Sequence, residues 1–230
     1  MRVDQEFSRY AGAYSGYDMI QQQVATRLIS HITTKPKTIL DLGCGRGAIV
    51  EKITWDYEHF VGVDFAPGML ELHPKSKKIE CIYGSFDDDT VFTNLFEYDF
   101  DIVLSSSALQ WSRDIEHLFK QIAMLNAPIA LAIFTANTFQ TLHQTAKTTS
   151  PLRDKESIYA LQKRYFDAEF EVVKYQLDFD NTQDIFRYIK KSGVSGGRNI
   201  LPYTKMKKLI REYPTNSLEF EVVFIYSKGI

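Results

Sequence analysis

Cysteine is scarce in this chain: Cys44 and Cys81 are the only two in 230 residues. That excludes a disulfide framework and suits a reducing compartment. An excess of one charge sign is lacking as well. Lys and Arg total 27 against 29 Asp and Glu, a formal net charge of -2, so nothing global points to nucleic acid or an anionic membrane as partner. Long apolar runs are missing too. The longest, at 129–134, falls far short of the ~20 residues that span a bilayer. The opening residues Met1-Arg2-Val3-Asp4-Gln5-Glu6 are charged where a secretory signal is apolar. His31, His59, His73, His117 and His143 show no metal-ligand spacing among themselves or with the cysteines, so no metal is expected. The expectation is a cytoplasmic protein that binds neither nucleic acid nor membrane.

What is present is ample apolar content, 44% hydrophobic and 13% aromatic, enough for a packed core and against disorder. The length fits one generous α/β domain. Ile20, Val24, Leu28 and Ile32 recur every four residues, which predicts an amphipathic helix. Strands are predicted at 38–42, 60–64, 78–83, 100–105 and 129–134, separated by helical stretches at 48–55, 67–72 and 115–125. Apolar strands alternating with helices indicate a parallel sheet buried on both faces. Later come helices at 138–146, 155–167, 182–191 and 204–213, and strands at 170–179 and 218–227. The chain thus divides into an N-terminal helical lid (1–35), a nucleotide-binding core (36–135), and a last part (136–230) of cap helices and closing strands.

Asp41-Leu42-Gly43-Cys44-Gly45-Arg46-Gly47 falls where the first strand ends. Alternating glycines let the backbone bend sharply and let a ligand approach without meeting a Cβ. N–H groups at a following helix start would favour an anionic group. Asp64 ends the second strand, where a carboxylate can accept hydrogen bonds from both ribose hydroxyls. A dinucleotide fingerprint needs glycine at position 48; the residue there is Ala48.

This segment, with Val63-Asp64-Phe65, resembles the class I S-adenosylmethionine-dependent methyltransferases. The resemblance implies a doubly wound, mostly parallel seven-stranded sheet in the order 3-2-1-4-5-7-6, and S-adenosylmethionine as cofactor with S-adenosylhomocysteine as product. It implies that Asp41, Gly43 and Gly45 line the methionine end and that Asp64 holds the ribose. Phe65 and Met69 would flank the adenine, and Ser105 would start the loop beneath the transferring methyl. The chain departs from the family where the third strand ends: Gly84-Ser85-Phe86 replaces the usual Gly-Asp, which leaves the adenine to Ser85 and the backbone at Phe86.

Outside the shared core, the segments around Phe7-Ser8-Arg9, Tyr14, Gln21 and Val24 resemble the malonyl-[acyl-carrier protein] O-methyltransferases of biotin synthesis. So do Ala108-Leu109-Gln110-Trp111 and the stretches at 134–142, 185–193 and 220–224. That likeness implies methylation of the free carboxylate of malonyl-acyl carrier protein, or malonyl-CoA. Tyr14 would position the acceptor, Arg9 would contact a cofactor or substrate carboxylate, and Gln110 and Trp111 would wall the acceptor pocket. Competing assignments are a lid aromatic for Tyr14, a surface charge for Arg9 and a core side chain for Trp111. Two other functions stay open: a class I methyltransferase for another small carboxylate or natural product, and a protein that binds the cofactor without turnover.

Between 185 and 211 the chain carries Arg187, Lys190, Lys191, Arg198, Lys205, Lys207, Lys208 and Arg211 without an acidic residue. Such asymmetry is either a docking surface for an acidic carrier protein or a set of solvated helix faces. The glycine-rich stretch 193–199 is either a lid or a connection. Asp87-Asp88-Asp89 is expected as an acidic loop end.

Overall fold

A computed structural model describes residues 17–192 and 203–230, the side chains of 203–206 excepted. Among these residues the elements run α1 (Met19–Ser30), β1 (Thr38–Leu42), β2 (His59–Asp64), α2 (Pro67–Leu72), β3 (Ile79–Tyr83), α3 (Asp89–Leu95), β4 (Ile102–Ser106) and α4 (Ile115–Met124). They continue with β5 (Ile129–Phe134), α5 (Gln140–Ala146), α6 (Lys155–Tyr165), β6 (Ala168–Asp178), α7 (Thr182–Lys191), α8 (Tyr203–Glu212) and β7 (Ser217–Ser227). The strands form one seven-stranded sheet in the order β3-β2-β1-β4-β5-β7-β6, as the resemblance implied. The first five pair in parallel, and β7 pairs antiparallel with both β5 and β6.

Burial explains the composition of the strands. The central ones, β1, β4 and β5, are closed over on both faces, and Ile39, Leu40, Leu104 and Leu131 are wholly buried. One core cluster packs α1 and α7 against one face through Ile20, Val24, Leu28 and Ile185. The other packs α3 and α4 against the opposite face through Phe92, Leu95, Leu118 and Phe119. Edge strand β3 is only half covered, with Tyr83 67% exposed, which is why its sequence is less uniformly apolar. No described helix is long and apolar enough to cross a membrane.

Two local expectations need correction. Residues 48–55 do not form a helix: turns run through 45–49, and a single 3-10 turn follows at Val50–Lys52. Gly45 and Gly47 sit at φ +53° and +93°, and β-branched Ile49, Val50, Ile53 and Thr54 resist helical rotamers. Conversely, the stretch before β4 is not merely an acidic loop. Asp88 accepts the Thr90 N–H at 2.9 Å and caps α3, which buries Val91, Phe92 and Leu95. A capped acidic first turn is the usual helix start.

A buried acid locks the closing strand. Glu221 on β7, 1% exposed, accepts the Thr135 hydroxyl at 2.6 Å and Asn137 Nδ2 at 2.9 Å, with Lys155 Nζ 3.8 Å away. A carboxylate this buried persists only with such partners. The network fixes the chain leaving β5.

Candidate functional site

The carboxyl ends of β1, β2 and β4 open into a cleft enclosing about 1040 Å³ of atom-free space, part of it continuous with solvent. A cleft beyond the strand ends of a doubly wound sheet is where such folds bind ligands. The bend after β1 shapes its floor. Gly43 N–H donates to the Val63 carbonyl at 2.7 Å, pulling the loop across the end of β2. At φ +77°, a Cβ on Gly43 would lie 2.2 Å from the Ala108 Cβ, so glycine is required by packing. Gly45 is glycine for another reason. At φ +53° its missing Cβ would point into open space, on the wall of the cleft.

Asp64 stands over this bend, 8% exposed. Its Oδ2 accepts the Gly45 N–H at 2.9 Å and its Oδ1 the Ala66 N–H at 2.8 Å. Burial raises its pKa, and these backbone donors partly offset that rise. The Phe65 N–H is a third backbone donor to this carboxylate, which leaves it acceptor capacity for a further donor such as a ribose hydroxyl. Asp41 at the end of β1 is 1% exposed, and its Oδ1 has no hydrogen-bond partner. Burial and the neighbouring Asp64 charge hold its pKa well above the ordinary carboxylate value. A buried polar atom without a partner is costly, and this one lines the cleft, where an ammonium could meet it. These residues fit S-adenosylmethionine: a backbone bend open to ligand, a carboxylate for a ribose and another for an ammonium.

Phe65, Met69 and Phe86 also line the cleft. Phe65, Phe86 and Trp111 border both it and an adjoining recess that holds Ser85. Ser85 Oγ accepts the Asp87 N–H at 3.1 Å, so its hydroxyl proton remains to be donated. The structure corrects the role expected of Ser105. Its hydroxyl is buried and donates to the Leu42 carbonyl at 2.6 Å, beyond the last β1–β4 ladder pair, Asp41 and Leu104. The cleft wall is instead Ser106 and Ser107, the latter at φ +61°. Gln110 is also displaced from the wall: it is 7% exposed, its Nε2 donates to the Ser107 carbonyl at 2.6 Å, and it steadies the loop from behind. Trp111 is on the wall itself.

Three residues at the site had no site role expected from the sequence, which gave Asp87 only as part of an acidic loop end. Asp87 accepts the Ser112 hydroxyl at 2.7 Å, the Arg113 N–H at 3.2 Å and Arg113 Nε at 3.3 Å, so it clamps the loop that carries Trp111. Asp18 just before α1 lines the mouth. Arg46, inside the glycine bend, is the one cation among the described lining residues. Neither Asp87 nor Arg46 carries a motif that spacing alone could reveal, because their partners are remote in sequence or absent from the chain.

Arg9, Tyr14, Arg198 and the 193–199 loop lie outside the described residues. The basic stretch is less bare than its sequence suggests. Arg187 pairs with Asp184, and Lys208 and Arg211 lie 3.9 and 3.7 Å from Glu212. Lys191 sits 4.7 Å from the centre of the Tyr17 ring, while Lys190 and Lys207 are exposed. Gln21 Nε2 donates to the Ser192 carbonyl at 3.1 Å, so the end of α7 adjoins the helix that borders the cleft mouth.

Comparison with known proteins agrees with this geometry. A family model described as a methyltransferase domain matches residues 39–128. The malonyl-[acyl-carrier protein] O-methyltransferase of Methylovorus sp. (strain MP688) is 27% identical over 214 residues, covering 84% of this chain and 72% of that protein. The enzyme of that name from Bacillus cytotoxicus is 22% identical over 218 residues, covering 84% and 75%. Among solved structures, the YcgJ protein of Bacillus subtilis superposes with a TM-score of 0.59 at 12% identity, over 88% of this chain and 97% of that one. That likeness shows the fold.

Proposed function

We infer that this chain is a class I S-adenosylmethionine-dependent methyltransferase that methylates the free carboxylate of malonyl-acyl carrier protein. The observation that supports this acceptor is the spread of the likeness. Relatives named malonyl-[acyl-carrier protein] O-methyltransferase align over 84% of the chain, well beyond the 39–128 segment that holds the cofactor-binding features.

When bound, S-adenosylmethionine supplies a methyl group on a sulfonium, which needs no further activation. Asp64 would hold the ribose through its remaining acceptor capacity, and Asp41 would hold the ammonium. Gly43 and Gly45 keep the approach clear. Phe65 and Met69 would flank the adenine, and Ser85 and the Phe86 backbone would hold its edge. A malonyl carboxylate is already ionised at neutral pH, so the protein has no proton to remove. Burial pushes the Cys44 thiol up, away from thiolate. What remains is positioning, with Trp111 as a wall that excludes water. Tyr14 and Arg9 are the proposed positioning hydroxyl and carboxylate contact on the segment that precedes α1. The exposed Lys190 and Lys207 offer an acidic carrier protein a landing face. The product ester conceals a charge that would obstruct chain elongation; a role at the entry to pimeloyl and biotin synthesis is what the resemblance to the malonyl-[acyl-carrier protein] O-methyltransferases implies.

The test is incubation with isotope-labelled cofactor and malonyl-acyl carrier protein, read by intact mass. Label on the carrier that mild ester hydrolysis removes supports the acceptor. Methylation of free small acids with none on the carrier would move the activity to another carboxylate. Methylation of malonyl-CoA alone would remove the carrier.

A further inference from the structure

We propose that Arg46 is the cation that binds the α-carboxylate of the cofactor's methionine moiety, a task left to it because the bend after β1 does not lead into a helix. The proposal rests on the cofactor assignment and adds a residue to it.

Anionic groups at strand-to-helix bends are ordinarily met by N–H groups and the dipole of the helix that follows. Here that helix is missing. Residues 45–49 are turns, and Val50–Lys52 is one 3-10 turn, too short to sum a dipole. The cleft is otherwise hostile to an anion, because Asp18, Asp41, Glu51 and Asp64 all line it. Arg46 is the one opposing charge among the described lining residues. Its Nε is buried without a hydrogen-bond partner, and no described carboxylate is paired with it in the ion pairs of the fold. A guanidinium is always charged and offers only donors, so a buried N–H without an acceptor is a standing cost that a ligand carboxylate would relieve. It follows directly on Gly45, the residue whose missing Cβ opens the wall. With Asp41, whose buried Oδ1 has no partner, among the same lining residues, the pair matches a zwitterion, with the ammonium on the acid and the carboxylate on the guanidinium.

The acceptor's carboxylate is the poorer occupant. A nucleophilic oxygen held by a guanidinium loses reactivity, whereas the methionine carboxylate takes no part in bond making and can be gripped at no chemical cost.

The experiment is a calorimetric cycle with two ligands and two proteins. S-adenosylhomocysteine and its decarboxylated counterpart, S-adenosyl-3-thiopropylamine, are titrated into the wild type and Arg46→Gln. The wild type should favour the carboxylate-bearing ligand by about ten- to a hundredfold, the range of one charge-assisted hydrogen bond. Arg46→Gln should lose most of that preference while binding the decarboxylated ligand as the wild type does, which also shows that it is folded. Arg46→Lys should keep part of the preference. Equal weakening toward both ligands, or an undiminished preference in Arg46→Gln, overturns the proposal. So does a variant whose only defect is a raised KM for the acceptor. A wild type that binds neither ligand would instead overturn the cofactor assignment beneath it.

Discussion

Replacing Gly43 by alanine separates the two reasons for glycine in the bend. The new methyl would lie 2.2 Å from the Ala108 Cβ, with Phe86 Cε1 and the Ala108 Cα at 3.6 and 3.7 Å. Only the first of these is a clash. Adopting φ +77° costs an L-residue ~1–2 kcal/mol, and the overlap adds ~1–3 kcal/mol of overpacking. The expected loss is therefore ~2–5 kcal/mol, a large share of the ~5–15 kcal/mol that holds a domain. Gly43→Ala/Ala108→Gly removes the atom in the way and leaves only ordinary contacts. The double variant should regain the steric part, a coupling of ~1–3 kcal/mol, and keep the backbone part. Gly45→Ala has nothing within 4 Å of its new Cβ. It should lose only ~1–2 kcal/mol of stability but should weaken S-adenosylhomocysteine binding more than any other alanine in the bend. Urea unfolding of the ligand-free proteins at unchanged m measures the first effect, and calorimetry measures the second. If Ala108→Gly fails to rescue Gly43→Ala, or if Gly45→Ala is as unstable as Gly43→Ala, the described bend is wrong.

Three further outcomes follow from the same geometry. Asp64→Asn should weaken binding of S-adenosylhomocysteine by about tenfold or more, since it removes charge-assisted acceptors; unchanged affinity by calorimetry would remove Asp64 from the ribose. Asp41 has a folded pKa above its unfolded one, because burial favours the neutral form. Between those two values the folded state holds the extra proton, so stability falls as pH rises through that window. Asp41→Asn should lack this loss, and its urea midpoint in the ligand-free state should gain on the wild type as pH rises above the ordinary carboxylate range; parallel pH profiles would contradict this. Lys190→Glu/Lys207→Glu should raise the KM for malonyl-acyl carrier protein several-fold at low salt, with S-adenosylhomocysteine affinity unchanged. A KM that does not move would leave these residues as solvated surface.

Much of the sheet was legible because apolar runs such as 129–134 have one physical solution, burial between helices. Gly43, Gly45 and Asp64 were legible because backbone freedom and a strand-end carboxylate are written as residue types. Residues 48–55 misled, since their apolar spacing mimics a helix while three left-handed glycines and β-branched neighbours prevent one. Ser105 gave way to its neighbour Ser106 because strand alternation decides which hydroxyl faces the ligand, and the register of β4 against β1 sets that alternation. The Asp87 clamp and the Glu221 lock join residues 25 and 86 positions apart, and nothing local in the sequence marks either partner. Arg46 escaped notice because its significance lies in the helix that fails to form after it.

The central claim is that a glycine bend beside a strand-end carboxylate holds a sulfonium nucleoside. Titration calorimetry of S-adenosylmethionine into ligand-stripped protein tests it most directly. The account predicts saturable uptake at one site per chain, abolished or strongly weakened in Asp64→Asn. No heat of binding from the folded wild-type protein would contradict it.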